Sequence, residues 1–315
     1  MRRLTKKHIL ITGTFVLLAG IGIVFGAMLG GGDVSTTTPT PKASTPRGAV
    51  NALTGKSGKA GSVLIVKIDN ATPARPASNL DQADIVYGIQ VEGGLSRIMA
   101  VYDGHRLPSF VGPVRSARET DLTLIPQFGR VAFAYSGATT SIIPELNAGP
   151  WKNVTPGQFG DFYRNHNRFA PHNEYLRTPP QLLNGVPAAR SIGLQFGPLP
   201  AGGASQASIS ASMPAASFQF HWNGKNYNVG MDHSRSPWHA DNVVIQDVSV
   251  SMVRKSHGGP VPFSDTLGDG KATVYRDGKA YHGSWSRSSK SASTHYTFHG
   301  TTMKLHTGRT WIILR

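Results

Sequence analysis

Cysteine is missing from this sequence, and acidic residues are scarce. With no Cys among its 315 residues, the chain can form no disulfide and offers no thiolate as nucleophile, zinc ligand or lipid attachment point. It holds 32 Lys and Arg against 17 Asp and Glu, which gives a formal net charge of +15. An exported protein of this composition has to rely on its hydrophobic core for stability.

The positive charge is concentrated at the two ends of the chain. Residues 1–61 and residues 252–315 each carry a net charge of +7, whereas the long stretch between them is close to neutral. Cationic ends of this kind suit an anionic polymer, an anionic lipid surface or nucleic acid. The alternative is a soluble protein that only carries surplus Lys and Arg.

One long apolar run lies near the N-terminus. Residues 9–29 contain no charged side chain, and their 21 residues match the roughly 20 needed to span hydrocarbon. The basic residues within 1–8 predict a cytoplasmic tail, with the bulk of the chain outside. A cleaved signal peptide is the alternative, but its apolar core is usually only about 7–15 residues long. We therefore expect an uncleaved single-pass anchor in the cell membrane.

The rest of the chain divides by composition into a linker and two folded parts. Residues 30–61 are rich in Gly, Ser, Thr, Pro and Lys and predict a disordered linker. Residues 62–200 predict an N-terminal α+β part, with strands over 63–68, 84–91 and 95–102 and a helix from 117 toward 127. Residues 201–315 predict a β-rich part, with hairpin turns at Asn223-Gly224 and Asp277-Gly278 and a closing meander through 310–314.

The stretch GPVRSARETD at 112–121 is the most distinctive motif in the sequence. Ser116 precedes Glu119 by three residues, the spacing of a capping box at a helix start. Arg115 and Arg118 flank this start, where free N–H groups and the helix dipole favour anions. The motif predicts an anion site, and internal ion pairs with the nearby carboxylates are the alternative.

Several longer runs carry a family resemblance. DNATPARP at 69–76, ADIVYGIQVEGGLSRIMAVY at 83–102, GPVRSARETD and APHNEYL at 170–176 resemble the YerB-like family, as do NVVIQ at 242–246 and TGRTWIILR at 307–315. The resemblance covers about residues 62–315. It implies a bacterial envelope protein with an α+β N-terminal part and a β-rich C-terminal part. Many members are lipoproteins, and here a transmembrane helix would replace the lipid anchor. The family brings no settled reaction with it.

Catalysis is the second interpretation of the polar residues. Asp69 follows a predicted strand and Glu92 lies at a hairpin turn, so both could join His172 as a general acid/base set. Ser116 and Ser136 lie outside any G-x-S-x-G motif. His233, His239 and Asp241 lack the spacing of a metal site. Trp285 and Trp311 are expected to belong to the core.

We therefore predict an α+β ectodomain, with strands layered on helices and a β-rich C-terminal half. The leading function is binding of an anionic cell-wall polymer or precursor in an accessory role. A hydrolase or transferase acting through Asp69, Glu92 and His172 is the alternative, and a scaffold for a protein partner is a third. We expect no metal, no cofactor and no nucleic acid, and leave the oligomeric state open. The predicted ligand-binding residues are Arg75, Arg97, Arg115, Ser116, Arg118 and Asn173.

Overall fold

The computed structural model describes residues 48–159, 161–253 and 259–315. The predicted tail, the predicted anchor at 9–29 and the predicted linker up to residue 47 lie outside these residues. Within them, no helix is both long and apolar enough to cross a membrane.

Strands dominate the described residues. The described residues contain two α-helices, α1 (Glu119–Leu124) and α2 (Ile143–Ala148). Short 3-10 helices occupy Thr72–Ala74, Leu80–Gln82, Glu92–Gly94, Gly104–Arg106, Ile125–Phe128, Thr140–Ile142 and Pro180–Leu183. The strands are β1 (Val63–Asp69), β2 (Ile85–Gln90), β3 (Ser96–Asp103), β4 (Phe110–Val111), β5 (Ala132–Ala134), β6 (Lys152–Val154), β7 (Phe162–Arg164), β8 (Glu174–Arg177), β9 (Gln195–Phe196), β10 (Ala204–Ser205), β11 (Ser208–Met213), β12 (Ala216–Trp222), β13 (Tyr227–Met231), β14 (Ser234–Ala240), β15 (Asn242–Gln246), β16 (Val250–Val253), β17 (Val261–Ser264), β18 (Gly268–Arg276), β19 (Lys279–Arg287), β20 (His295–Phe298), β21 (Thr301–Thr302), β22 (Lys304–Leu305) and β23 (Thr310–Leu314).

One large mixed sheet runs through both halves of the chain. Its strand order is β21-β20-β19-β18-β15-β23-β2-β3-β1-β5-β6, with β10 attached to β19. The C-terminal strand β23 pairs in parallel with β15 on one side and with β2 on the other. The last strand of the sequence thus joins the N-terminal strands to the C-terminal ones in a continuous hydrogen-bonded sheet.

The two faces of this central sheet are covered differently. A separate antiparallel sheet, in the order β11-β12-β13-β14, packs on one face. There Trp311 of β23 meets the rings of Phe218, Phe220 and Trp238. The other face is covered by α1, α2 and the segments around them. Strands covered on both faces are mostly apolar, and all seven residues of β1 are buried, with the charged Lys67 and Asp69 among them.

The three predicted hairpins are confirmed, and the predicted final meander is wrong. Strands β2 and β3 pair antiparallel, as do β12 with β13 and β18 with β19 around their Gly-containing turns. The last strand does not continue the meander, because it crosses to the centre of the sheet and pairs in parallel. The TWIIL sequence of β23 is buried at every position, as expected for a strand inside a sheet rather than at its edge.

The predicted helix from 117 toward 127 is shorter than the sequence suggested, and the predicted linker ends earlier. Helix α1 stops after six residues and continues as a 3-10 turn containing Pro126, because proline cannot donate the next helical hydrogen bond. Residues 48–61 belong to the folded part rather than to a disordered linker. The Leu53 side chain is fully buried, and the Asn51 amide donates to the Asp103 carboxylate at 2.7 Å.

Candidate functional site

The predicted acidic and basic residues meet where β1 ends and β3 begins. Asp69 is the last residue of β1 and faces Arg97 across the antiparallel pair. Glu92 lies in the short turn that joins β2 to β3. The hairpin therefore brings one buried guanidinium and two carboxylates to the same end of the central sheet.

The segment Gly112–Arg118 crosses this end of the sheet. The Arg115 N–H donates to the Lys67 carbonyl, and the Asp69 N–H donates to the Pro113 carbonyl, both at 2.8 Å. These bonds hold the segment beside β1, so Arg115 and Arg118 lie next to Arg97. We call Arg97, Arg115 and Arg118 the arginine cluster.

Ser116 does not cap the helix, which corrects the prediction from its spacing to Glu119. The N-cap of α1 is Arg118, two residues later. Its N–H donates to the Asp121 carboxylate at 2.7 Å. Asp121 is the third residue of the helix, so it takes the role that Glu or Gln has in a capping box, that of accepting the N–H of the N-cap residue. Ser116 instead offers its carbonyl, which accepts from the Arg97 guanidinium at 3.1 Å.

Asp69 is shared between Arg115 and His172. Its carboxylate Oδ2 lies 3.1 Å from the Arg115 Nε and 2.8 Å from the His172 Nδ1. His172 comes from the loop between β7 and β8. Arg168 fixes this loop by donating to the carbonyls of Pro73 and Pro76 at 3.2 and 2.7 Å.

Glu92 pairs with Arg118 instead of joining Asp69 and His172. The Arg118 Nε donates to its carboxylate at 2.6 Å, and the Arg118 NH1 donates to the Ala117 carbonyl at 2.8 Å. Burial raises the pKa of Glu92, but hydrogen bonding and the Arg118 charge outweigh burial and leave the pKa below its ordinary value. The predicted acid/base set is thus arranged as a carboxylate–imidazole pair and a separate ion pair.

Positive charge exceeds negative charge in this site. Three guanidiniums face two carboxylates, and His172 adds a further positive charge when it is protonated. Burial lowers the pKa of Arg97 to about 10, with additional lowering from Arg118 and Arg115 that Glu92 and Asp69 only partly oppose. A lowered pKa means that the charged form of the arginine is destabilised in the folded protein. A bound anion would stabilise that charged form.

A buried ion pair lies beneath the arginine cluster, and reasoning from the sequence missed it. The Lys67 Nζ donates to the Asp121 Oδ1 at 2.8 Å, and both side chains are completely buried. Because Asp121 also accepts the Arg118 N–H, it connects this pair to the backbone of the cluster. The available signal was Lys67 itself, the one charge within the otherwise apolar run 63–68.

Two predicted ligand-binding residues point elsewhere. Arg75 donates to the Asn70 carbonyl at 2.6 Å and pairs with Asp232 at 2.5 Å, which ties its loop to the second sheet. The side-chain carbonyl of Asn173 accepts a hydrogen bond from the Arg164 guanidinium at 2.9 Å. Among the described residues, the side chains of Arg75 and Asn173 make no hydrogen bond or ion pair to the arginine cluster.

Comparison with known proteins places the chain in a family. One family model, described as "Protein of unknown function (DUF3048) N-terminal domain", matches residues 52–191. The model of the corresponding C-terminal domain matches residues 208–312. The chain belongs to the DUF3048 family. The YerB-like resemblance seen in the sequence motifs is thereby confirmed.

Two comparisons connect this DUF3048 protein to YerB of Bacillus subtilis. The chain is 35% identical to a curated protein whose name describes YerB as a candidate lipoprotein, over 114 residues. That match spans 36% of this chain and 34% of the relative, about a third of either length. The crystal structure of YerB superposes with a TM-score of 0.72 at 21% identity, covering 85% of this chain and 96% of that one. The likeness to the crystal structure establishes the mixed α/β, strand-rich fold.

Proposed function

We propose that this protein is an extracytoplasmic, membrane-anchored protein of the cell envelope that binds an anionic polymer or its precursor through the arginine cluster. The location is supported by the basic tail and apolar run at residues 1–29 and by the lipoprotein name of the B. subtilis relative. Because this chain has no cysteine, the apolar run rather than a thioether-linked lipid would hold it in the membrane.

The excess of guanidiniums over carboxylates is the observation that carries the binding proposal. Arg115 is 27% exposed at its side chain, and its two terminal nitrogens have no hydrogen-bond partner among the described residues. A guanidinium presents its donors in a fork that fits phosphate or carboxylate oxygens. Arg115 can therefore keep its contact to Asp69 through Nε while its terminal nitrogens donate hydrogen bonds to a bound anion.

A binding titration tests this proposal. The full-length protein in detergent is titrated with poly(glycerol phosphate), and Arg115→Gln is compared with Arg130→Gln, which removes the same charge from an exposed residue. We expect binding by wild type and the Arg130 variant, a loss of about tenfold or more in Arg115→Gln, and weakening with added salt. Equal binding by both variants would contradict the proposal.

The contact between Asp69 and His172 favours hydrolysis or group transfer as a second candidate. A carboxylate that accepts from the imidazole Nδ1 fixes the ring and leaves Nε2 able to accept a proton, as a general base requires. The test is release of soluble fragments from labelled wall polymer by wild type and His172→Asn. Activity that disappears in the variant would establish catalysis, and its absence in wild type would remove this candidate.

A further inference from the structure

The sheet β11–β14 has an apolar inner face and a polar outer face. Along β11 and β12, buried and exposed residues alternate, and the buried ones belong to the core against the central sheet. This alternation is expected of an antiparallel sheet with one face in the core. The outer face is distant in the chain from the arginine cluster and plays no part in the proposed anion site.

Two rows of side chains cross the outer face. The strand register places Ser208, His221 and Asn228 side by side in one row. The next row consists of Ser210, Gln219, Gly230 and Arg235. Neighbouring strands are about 4.8 Å apart, so each row offers closely spaced hydrogen-bonding groups across the sheet.

Gly230 is the one position in these two rows without a side chain. It lies in the middle of its row, beside a register shift between Asn228 and Gly230. A Cβ at this position would be only 3.1 Å from the Ser234 carbonyl and 3.4 Å from the Gln219 Oε1, so the position favours glycine. Gly230 is one of the residues that line a groove of about 720 Å³ along the two rows, within the 300–1,000 Å³ range of ligand sites.

The polar groups of the groove are already oriented. The Ser208 hydroxyl and the His221 Nδ1 are 3.1 Å apart, and Asn223 donates to the Asn228 Oδ1 at 2.8 Å. At the β13–β14 turn, His233 has a φ of 65°, a left-handed conformation that is uncommon for a residue with a side chain. Its N–H donates to the Gln219 Oε1 at 3.3 Å, which fixes the side-chain amide of Gln219 in the groove.

The charge of the groove identifies the kind of ligand. Although the whole chain carries a net charge of +15, the groove is lined by one charged side chain, Arg235, and by hydroxyl, amide and imidazole groups. Its three apolar lining residues, Ile209, Phe220 and Val229, are buried in the core and at most 4% exposed. A polyanion would be recognised by several cations, and an apolar segment by apolar side chains. Neutral donors and acceptors in rows match an uncharged chain with many hydroxyl and amide groups.

We infer that the outer face of β11–β14 is a binding groove for an uncharged oligosaccharide, separate from the arginine cluster. Its hydroxyl, amide and imidazole groups pair with sugar hydroxyls and acetamido groups. The binding is governed by hydrogen bonds rather than charge, so it is insensitive to salt.

The test uses the full-length protein in an amine-oxide detergent, which carries no sugar. Calorimetric titration with the uncharged tetramer of N-acetylglucosamine is compared for wild type, His221→Ala and His282→Ala. His282 is the matched control, because it is also exposed and pairs with a hydroxyl, that of Thr273, at 3.1 Å on the central sheet. We expect about tenfold weaker binding in His221→Ala, the usual effect of one lost hydrogen bond, and no change in His282→Ala.

Two further variants keep the inference falsifiable. Arg115→Gln should leave tetramer binding unchanged, because that residue lies in the separate anion site, and Arg235→Gln tests whether the groove prefers a polyanion. Failure of wild type to bind the tetramer at millimolar concentration would overturn the inference. So would a preference of the groove for poly(glycerol phosphate) that disappears in Arg235→Gln. Neither result depends on whether the arginine cluster binds anions.

Discussion

The buried pair Lys67–Asp121 makes the sharpest stability prediction. Both side chains are fully buried and their charged atoms are 2.8 Å apart. Removing one member leaves an uncompensated charge inside the protein, which costs about 3–5 kcal/mol of unfolding free energy. We therefore expect this loss in Lys67→Met and in Asp121→Asn. The double variant should cost much less than the sum, because two neutral side chains of similar size leave no buried charge.

Urea denaturation of the four proteins at neutral pH measures this double-mutant cycle. Arg106→Gln is the control, because Arg106 also pairs with an aspartate, Asp84, at 2.8 Å but is 52% exposed. It should change stability by no more than about 1 kcal/mol. Costs for Lys67→Met and Asp121→Asn that simply add, within about 0.5 kcal/mol, would refute the interpretation of a coupled buried pair.

The pH dependence of Asp121→Asn has a definite sign. Burial lowers the pKa of Lys67 below its ordinary 10.5, and Asp121 is the main influence that raises it. Without Asp121 the pKa of Lys67 in the folded protein falls further. The range of pH in which the unfolded chain binds more protons than the folded protein is therefore wider in the variant than in wild type. Stability then rises with pH in that range. The cost of Asp121→Asn should therefore shrink as the pH rises toward the folded pKa of Lys67 in wild type, and stay constant above that pKa, where both proteins gain stability in parallel.

Two other substitutions test corrections that the structure makes to the sequence-based account. Ser116→Ala should change the unfolding free energy by less than about 0.5 kcal/mol, since Arg118 rather than Ser116 is the N-cap. If urea denaturation instead shows a loss near the ~1 kcal/mol of a true cap, Ser116 is the N-cap after all. Leu53→Ala should cost about 2–5 kcal/mol, because Leu53 is fully buried; a melting temperature equal to that of wild type would return residues 48–61 to the linker.

Local patterns predicted the hairpins well because they depend on neighbouring residues. The Asn223-Gly224 and Asp277-Gly278 turns connect paired strands as expected. The position of β23 could not be predicted in this way. Its pairing with β2 joins residues more than 220 positions apart, and nothing in TWIIL distinguishes a central parallel strand from the end of a meander.

The candidate site shows the same division between local and long-range information. The sequence indicated Asp69 at a strand end, Arg115 beside a helix start and His172 as an acid/base partner, but not that His172 and Arg115 share one carboxylate. That arrangement depends on a loop about 100 residues farther along the chain. The ion pair of Arg75 could not be predicted for the same reason, because its partner Asp232 lies in the β13–β14 turn of the second sheet.

The most direct test of the central claim compares stability and ligand response in Arg115→Gln. Melting temperatures of full-length wild type and variant are measured with and without poly(glycerol phosphate). We predict that the variant loses no more than about 1 kcal/mol of stability, since Asp69 keeps its contact to His172. We also predict that the polymer raises the melting temperature of wild type but not of the variant. Severe destabilisation of the variant, together with no polymer-induced shift in wild type, would show that the arginine cluster is purely structural.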